Sequence, residues 1–166
     1  DQSGYDAILL YLSIYLFMNL GAFAVVQIIA DTTGSEDISA FKGLGYRMPA
    51  AAIALGVFLF SLAGIPPLAG FIGKFYLFAA LIKAGGFWYI VLVLVGILNS
   101  VVALFYYARI LREMYLRGMD LESPLKMNWI HTGILAVTAL AMIVFGLYWE
   151  PLRKLVSSAV LTLNLL

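Results

Sequence analysis

The sequence contains no cysteine. Disulfides, thiolate-bound metals and iron–sulfur clusters ligated by this chain are therefore excluded. Its one histidine, His131, is too few for a histidine metal cluster or for holding a pair of haems. Charge is scarce: 11% of residues are charged, and the net charge is +1. A nucleic-acid partner calls for a basic face, so that class is excluded too. No basic segment precedes the first apolar run, and that run is too long for a signal-peptide core. Redox chemistry within the chain is not expected.

What is present is apolar. Hydrophobic residues make up 64% of the chain, against roughly 45–50% in soluble domains. Mean hydropathy is +1.01. The pattern predicts an all-α polytopic membrane protein, with residues 1–166 forming a membrane domain. Four transmembrane segments are expected, over about 7–30, 50–84, 87–110 and 129–149. The second is discontinuous, broken near 64–67.

The break follows from length and from proline. A straight helix from Pro49 to Lys83 would be on the order of 50 Å long, against a hydrocarbon core of about 30 Å. Pro66 and Pro67 remove backbone donors and clash with the preceding turn, and each disfavours helix at the residue before it. Two half-helices, about Ala50–Ala63 and Leu68–Ala84, are expected around a Gly64-Ile-Pro-Pro67 hinge. Unwound backbone at membrane depth survives only where protein or water satisfies it. Broken helices of this kind form ion and substrate sites in transporters.

Lys74 is the only charge between Arg47 and Lys83. If Lys83 marks the membrane surface, Lys74 lies roughly 13 Å below it, too deep for its stem to reach water. A lysine at a helix centre costs about 2.5–3.5 kcal/mol on insertion scales. Burial disfavours the charged form, so a lysine held there is suited to binding and releasing a proton. Ionisable groups inside a membrane are functional candidates by default. The competing reading is structural: Lys74 satisfies carbonyls freed at the hinge. Ser61 and Tyr76 are expected near the ammonium, where either hydroxyl would hold a water, although packing explains both equally well. Asn99 and Ser100 fall at the depth of Lys74, and Asn99 is the candidate polar partner. Asn19, beside Gly21 and Ala22, is expected to make an interhelical hydrogen bond.

The polar connection from Asp31 to Pro49 is expected to hold a short helix through Phe41, capped by Ser35 or Asp37. Phe41, Leu44 and Tyr46 would rest on the membrane surface. Phe87, Trp88 and Tyr89 form an aromatic cluster suited to the interface. The stretch from Gly118 to Asn128 reads as a polar loop, His131 as an interfacial residue, and Leu155–Leu166 as a short apolar tail. Lys42, Arg47, Arg109, Arg112, Arg117 and Lys126 share one side of the membrane, and Lys83, Arg153 and Lys154 the other. The richer side is expected to be cytoplasmic, or the matrix side in a mitochondrion.

One segment also carries a family resemblance. Phe60-Ser-Leu-Ala-Gly-Ile-Pro-Pro-Leu-Ala-Gly-Phe-Ile-Gly-Lys-Phe-Tyr-Leu-Phe78 closely resembles the broken helix near the C-terminal end of subunit N of proton-pumping NADH–quinone oxidoreductases, the subunit 2 of the mitochondrial complex. The resemblance extends to Tyr15-Leu-Phe-Met-Asn-Leu-Gly-Ala-Phe23 and to Asn99-Ser-Val-Val-Ala-Leu-Phe-Tyr-Tyr-Ala-Arg109. Related antiporter-like subunits, including those of multi-subunit sodium/proton antiporters, share a looser version.

The resemblance implies the C-terminal part of a larger subunit and a role in proton translocation driven by quinone reduction elsewhere. Lys74 would carry the proton, with Gly64, Pro66, Pro67, Ser61, Tyr76 and Asn99 in support. No cofactor is expected in this chain, while flavin mononucleotide (FMN) and iron–sulfur clusters are implied in other subunits. The expected partners are other membrane and peripheral subunits, the lipid bilayer, and quinone and NADH bound by other subunits. The expected location is an energy-transducing membrane, the bacterial inner membrane. This chain alone is not expected to be catalytic. Alternatives are a subunit of a sodium/proton antiporter and a purely structural membrane scaffold. A quinone site at Tyr106, Tyr107 and Arg109 is a weaker fourth.

Overall fold

A computed structural model describes residues 2–117 and 124–162, which are all-helical apart from their turns. The first helix, α1 (Gln2–Thr33), is followed by a 3-10 turn, Ile38–Phe41, and a single turn of helix, α2 (Leu44–Arg47). Then come α3 (Pro49–Ala63), α4 (Ala69–Ala84), α5 (Phe87–Leu116), α6 (Trp129–Leu147) and α7 (Glu150–Thr162). Three of these, α1, α5 and α6, are long and apolar enough to cross a membrane. Over the remaining expected segment, 50–84, the chain forms two helices, α3 and α4, neither long enough to cross alone.

α3 is the centre of the bundle. It packs against α1, α5 and α6, and α4 packs against the same three helices. Pro49 opens α3, at the first-turn position where a missing N–H costs nothing. Ala51, Ala52, Leu55 and Phe58 are almost wholly buried. α1 meets this core along a stripe of Leu10, Ile14, Met18 and Val25, spaced one or two turns apart on one helix face. The rest of α1, α5 and α6 presents large apolar side chains outward, as helices in lipid do.

Helix ends differ from the sequence expectations because hydropathy marks hydrocarbon depth, whereas hydrogen bonding continues beyond it. α1 runs on to Thr33, where the hydroxyls of Thr32 and Thr33 bond to the carbonyls of Ile28 and Ile29 at 2.6 and 2.8 Å. α5 continues past Ile110 to Leu116. The connection between α1 and α3 is exposed over much of its length but anchored in the core. Phe41 and Leu44 are buried in the core, and only Tyr46 of the three expected surface residues is exposed. The Gly43 N–H donates to the Glu113 carbonyl at 3.1 Å, pinning this connection to the end of α5.

The expected apolar tail is, over its described part, helix α7 packed against α1, with Val156 and Val160 buried. Its apolar side chains recur at helical spacing between polar ones, so that one face packs inward. The polar loop expected at Gly118–Asn128 lies partly outside the described residues, as does the tail beyond Thr162. At the start of α6 the Asn128 side chain accepts from the Ile130 N–H at 3.1 Å, a helix N-cap.

Candidate functional site

The break between α3 and α4 begins at Gly64, whose φ of 84° lies in the left-handed region. Glycine adopts that conformation without a Cβ penalty and ends helices this way. The Pro66–Pro67 peptide bond is cis, and both prolines are exposed. Leu68 is extended, and α4 starts at Ala69.

The end of a helix leaves four carbonyls without helical partners, and here each can be followed. The Phe60 carbonyl accepts from the N–H groups of Gly64 and Ile65, and the Ser61 carbonyl accepts from Gly64. The other two, on Leu62 and Ala63, accept from the Lys74 ammonium at 3.0 and 3.2 Å. Lys74 lies on α4 and reaches back across the break. Its stem passes over Gly64, where a Cβ would come within 2.9 Å of Lys74 Cδ. A third bond, at 2.9 Å, runs from Nζ to Ser100 Oγ on α5. The Ser100 hydroxyl donates in turn to the Gly96 carbonyl one turn earlier, at 3.0 Å. An ammonium has three N–H donors; the site supplies three acceptors, from α3 and α5, to a lysine on α4.

Ser61 and Tyr76 do not bond to the ammonium. Ser61, on α3, is fully buried, and its hydroxyl accepts from the Gly70 N–H at 3.0 Å and so caps α4. A Cβ on Gly70 would overlap the Ser61 carbonyl, so the two half-helices touch backbone to backbone here. The Tyr76 hydroxyl accepts from the Trp149 indole N–H at 3.0 Å, tying α4 to the segment just before α7. Asn99 is exposed on α5, and the contact with Lys74 is made by its neighbour Ser100. Asn19 bonds within its own helix, to the Tyr15 carbonyl at 2.8 Å, rather than across to another.

A 3.6-residue period separates the two candidates on α5. Val93, Gly96, Ser100 and Ala103 repeat at steps of three and four, and Val93 and Ala103 are buried. Asn99 lies about 100° around the helix from Ser100. Gly96, unremarked in the sequence, brings α4 and α5 together, because a Cβ there would meet the Phe78 ring at 2.8 Å. A cleft of about 480 Å³ opens beside Lys74 between α4 and α5. Its walls are apolar, from Phe71, Phe75, Phe78, Val101 and Leu104. Among the described residues no cluster of histidine, aspartate and glutamate is able to hold a metal ion.

The fold and the break define a polytopic helical membrane protein organised around an interrupted helix with a lysine seated in the interruption. The family model described as "NADH:quinone oxidoreductase/Mrp antiporter, TM" matches residues 1–100. The chain belongs to this family of membrane subunits. NADH-quinone oxidoreductase subunit N 2 of Sorangium cellulosum is 48% identical over 159 residues, covering 95% of this chain and 31% of that protein. NAD(P)H-quinone oxidoreductase subunit 2 of Thermosynechococcus vestitus is 39% identical over 170 residues, covering 96% and 32%. The chain thus spans about a third of the length of the curated relatives it matches.

Two solved structures share the fold. A chain of the archaeal membrane-bound sulfane sulfur reductase aligns with a TM-score of 0.84 at 27% identity, over 95% of this chain and 31% of that one. A chain of respiratory complex I from Thermus thermophilus aligns with a TM-score of 0.73 at 29% identity, over 90% and 34%.

Proposed function

We propose that this chain is part of a proton-translocating membrane subunit of a respiratory NADH–quinone oxidoreductase, and that Lys74 carries the proton. The observation that supports this most strongly is the seating of the Lys74 ammonium on two carbonyls of a broken helix and one hydroxyl of α5. An intramembrane lysine on an interrupted helix is an arrangement suited to ion handling. The names of the curated relatives favour the oxidoreductase over the antiporter branch of the family.

The mechanism follows from counting donors and acceptors. With its proton on, Lys74 fills all three acceptors. With the proton off, the amine has two N–H groups and a lone pair, so it donates to only two of the three groups. Proton loss therefore changes the hydrogen bonding at the break, beside a cleft that opens between α4 and α5. A charge change on a neighbouring helix or subunit that disfavours the ammonium would drive release. Quinone reduction in another subunit supplies the energy. FMN and iron–sulfur clusters reside in other subunits, which are the partners of this one. The chain itself performs no redox step. The proposed location is the bacterial inner membrane, with the face richer in lysine and arginine toward the cytoplasm.

Gly64, Pro66 and Pro67 act by keeping the helix open. Ser61 acts by capping α4, and Tyr76 by anchoring it. Asn99 is left to contacts on the outer side of α5. A sodium/proton antiporter subunit is the second reading, favoured only by the family description, which covers both classes. Co-purification with flavin- and iron–sulfur-containing subunits separates the two.

The test is Lys74→Met in the intact complex. Fewer protons moved per electron, or stalled turnover with normal assembly, is the expected result. Normal assembly with unchanged pumping would refute the proton role.

A further inference from the structure

We propose that Ser100 is the residue that lets the Lys74 site hold both protonation states of the lysine, which makes it a positioning residue for proton transfer. The inference rests on the reading that Lys74 carries a proton.

Of the three groups that bind Nζ, two are backbone carbonyls, which only accept hydrogen bonds. The third is a hydroxyl, which can both donate and accept. Its single proton points to the Gly96 carbonyl at 3.0 Å, so what it offers the ammonium at 2.9 Å is a lone pair. When Lys74 gives up its proton, its nitrogen gains a lone pair that the carbonyls cannot serve. Rotation of the Ser100 O–H away from Gly96 turns that hydroxyl into a donor to Nζ. The Gly96 carbonyl keeps its helical bond from the Ser100 N–H, because the two residues are one turn apart within α5. Ser100 keeps its own proton throughout and changes only its direction. Among the described residues, no other side chain bonded to Nζ is able to make this exchange.

The backbone holds Ser100 in place for this role. The helices α4 and α5 run antiparallel through the Gly85–Gly86 turn, so residues one turn onward on α4 meet residues one turn back on α5. Lys74 meets Ser100, and Phe78 meets Gly96. The same close approach that seats Phe78 brings the hydroxyl within reach of the ammonium.

The experiment uses the intact complex carrying Ser100→Ala, Ser100→Val or Ser100→Thr, with Lys74→Met alongside. Threonine and valine have the same shape and differ by the hydroxyl. Assembly, electron transfer and protons moved per electron are read for each. The expected result is a roughly tenfold loss of proton-coupled turnover in Ala and Val, the scale of one hydrogen bond to a charged group. Thr should restore most of it. Wild-type pumping in the Ala variant, or equal losses in Thr and Val, would overturn the role of Ser100. Normal pumping by Lys74→Met would overturn the underlying proton reading instead. Impaired Lys74→Met with unimpaired Ser100→Ala would overturn the Ser100 role alone.

Discussion

The ring of Phe78 lies on the bare backbone of Gly96, one helical turn from the bond between Lys74 and Ser100. A Cβ at position 96 would stand 2.8 Å from the ring, closer than side-chain carbons approach. This tight contact between α4 and α5 lies one turn from the lysine's bond to Ser100. Gly96→Ala should push α4 from α5 and lengthen the Lys74–Ser100 bond, at an overpacking cost of about 1–3 kcal/mol. Both thermal stability of the assembled subunit and pumping should fall. Unchanged stability and pumping in this variant would contradict the spacing role.

Ser61 provides a second test, because the structure gives it a different task from the one its sequence position suggests. Its hydroxyl accepts from the Gly70 N–H in a fully buried setting. Ser61→Ala leaves that donor without a partner and should destabilise the start of α4 by about 1–2 kcal/mol. Faster amide hydrogen exchange at Gly70 in the purified complex is the expected signature. Exchange as slow as in the wild type would mean that the cap contributes nothing.

At the end of the chain, Arg153 donates two bonds to Glu150, at 2.9 and 2.7 Å. These bonds hold the Glu150 carboxyl below the usual carboxylate range. A carboxyl with a lowered folded-state value contributes stability above its ordinary range. It loses that contribution as pH falls through the lowered value. The start of α7 should therefore fray in acid, below the ordinary glutamate range, and Glu150→Gln should fray at neutral pH as well. Limited proteolysis across α7 against pH reads this directly. A cleavage pattern in Glu150→Gln identical to wild type at neutral pH would contradict it.

The break between α3 and α4 was legible because its signals are local. Two prolines, the glycine before them and an over-long apolar run each point to the same place. The lysine was legible because charge is so rare around it. What surrounds the lysine was less so. Asn99 attracts attention as the stronger hydrogen-bonding group, yet helical phase turns Ser100 inward and Asn99 out. Ser61 lies near Lys74 along the chain, but the left-handed turn at Gly64 redirects the backbone and leaves Ser61 facing Gly70. The hydrogen bond between Trp149 and Tyr76 spans 73 residues, a pairing that only tertiary packing determines. Burial of Phe41 and Leu44 depends likewise on the end of α5, which hydropathy does not locate.

Lys74 completes the end of α3, and the proposed function also gives it a proton to carry. Lys74→Met removes both roles at once, and leaving two carbonyls unmet would itself cost about 1–3 kcal/mol each. Arginine separates them. Its guanidinium keeps the charge and has N–H groups for the Leu62 and Ala63 carbonyls, but it does not give up its proton. The decisive measurement is protons moved per electron in the intact complex carrying Lys74→Arg, read beside its assembly and electron-transfer rate. The account predicts an assembled complex with fewer protons moved per electron or stalled turnover. Full pumping with arginine in place would show that position 74 serves only as a cation on the helix end.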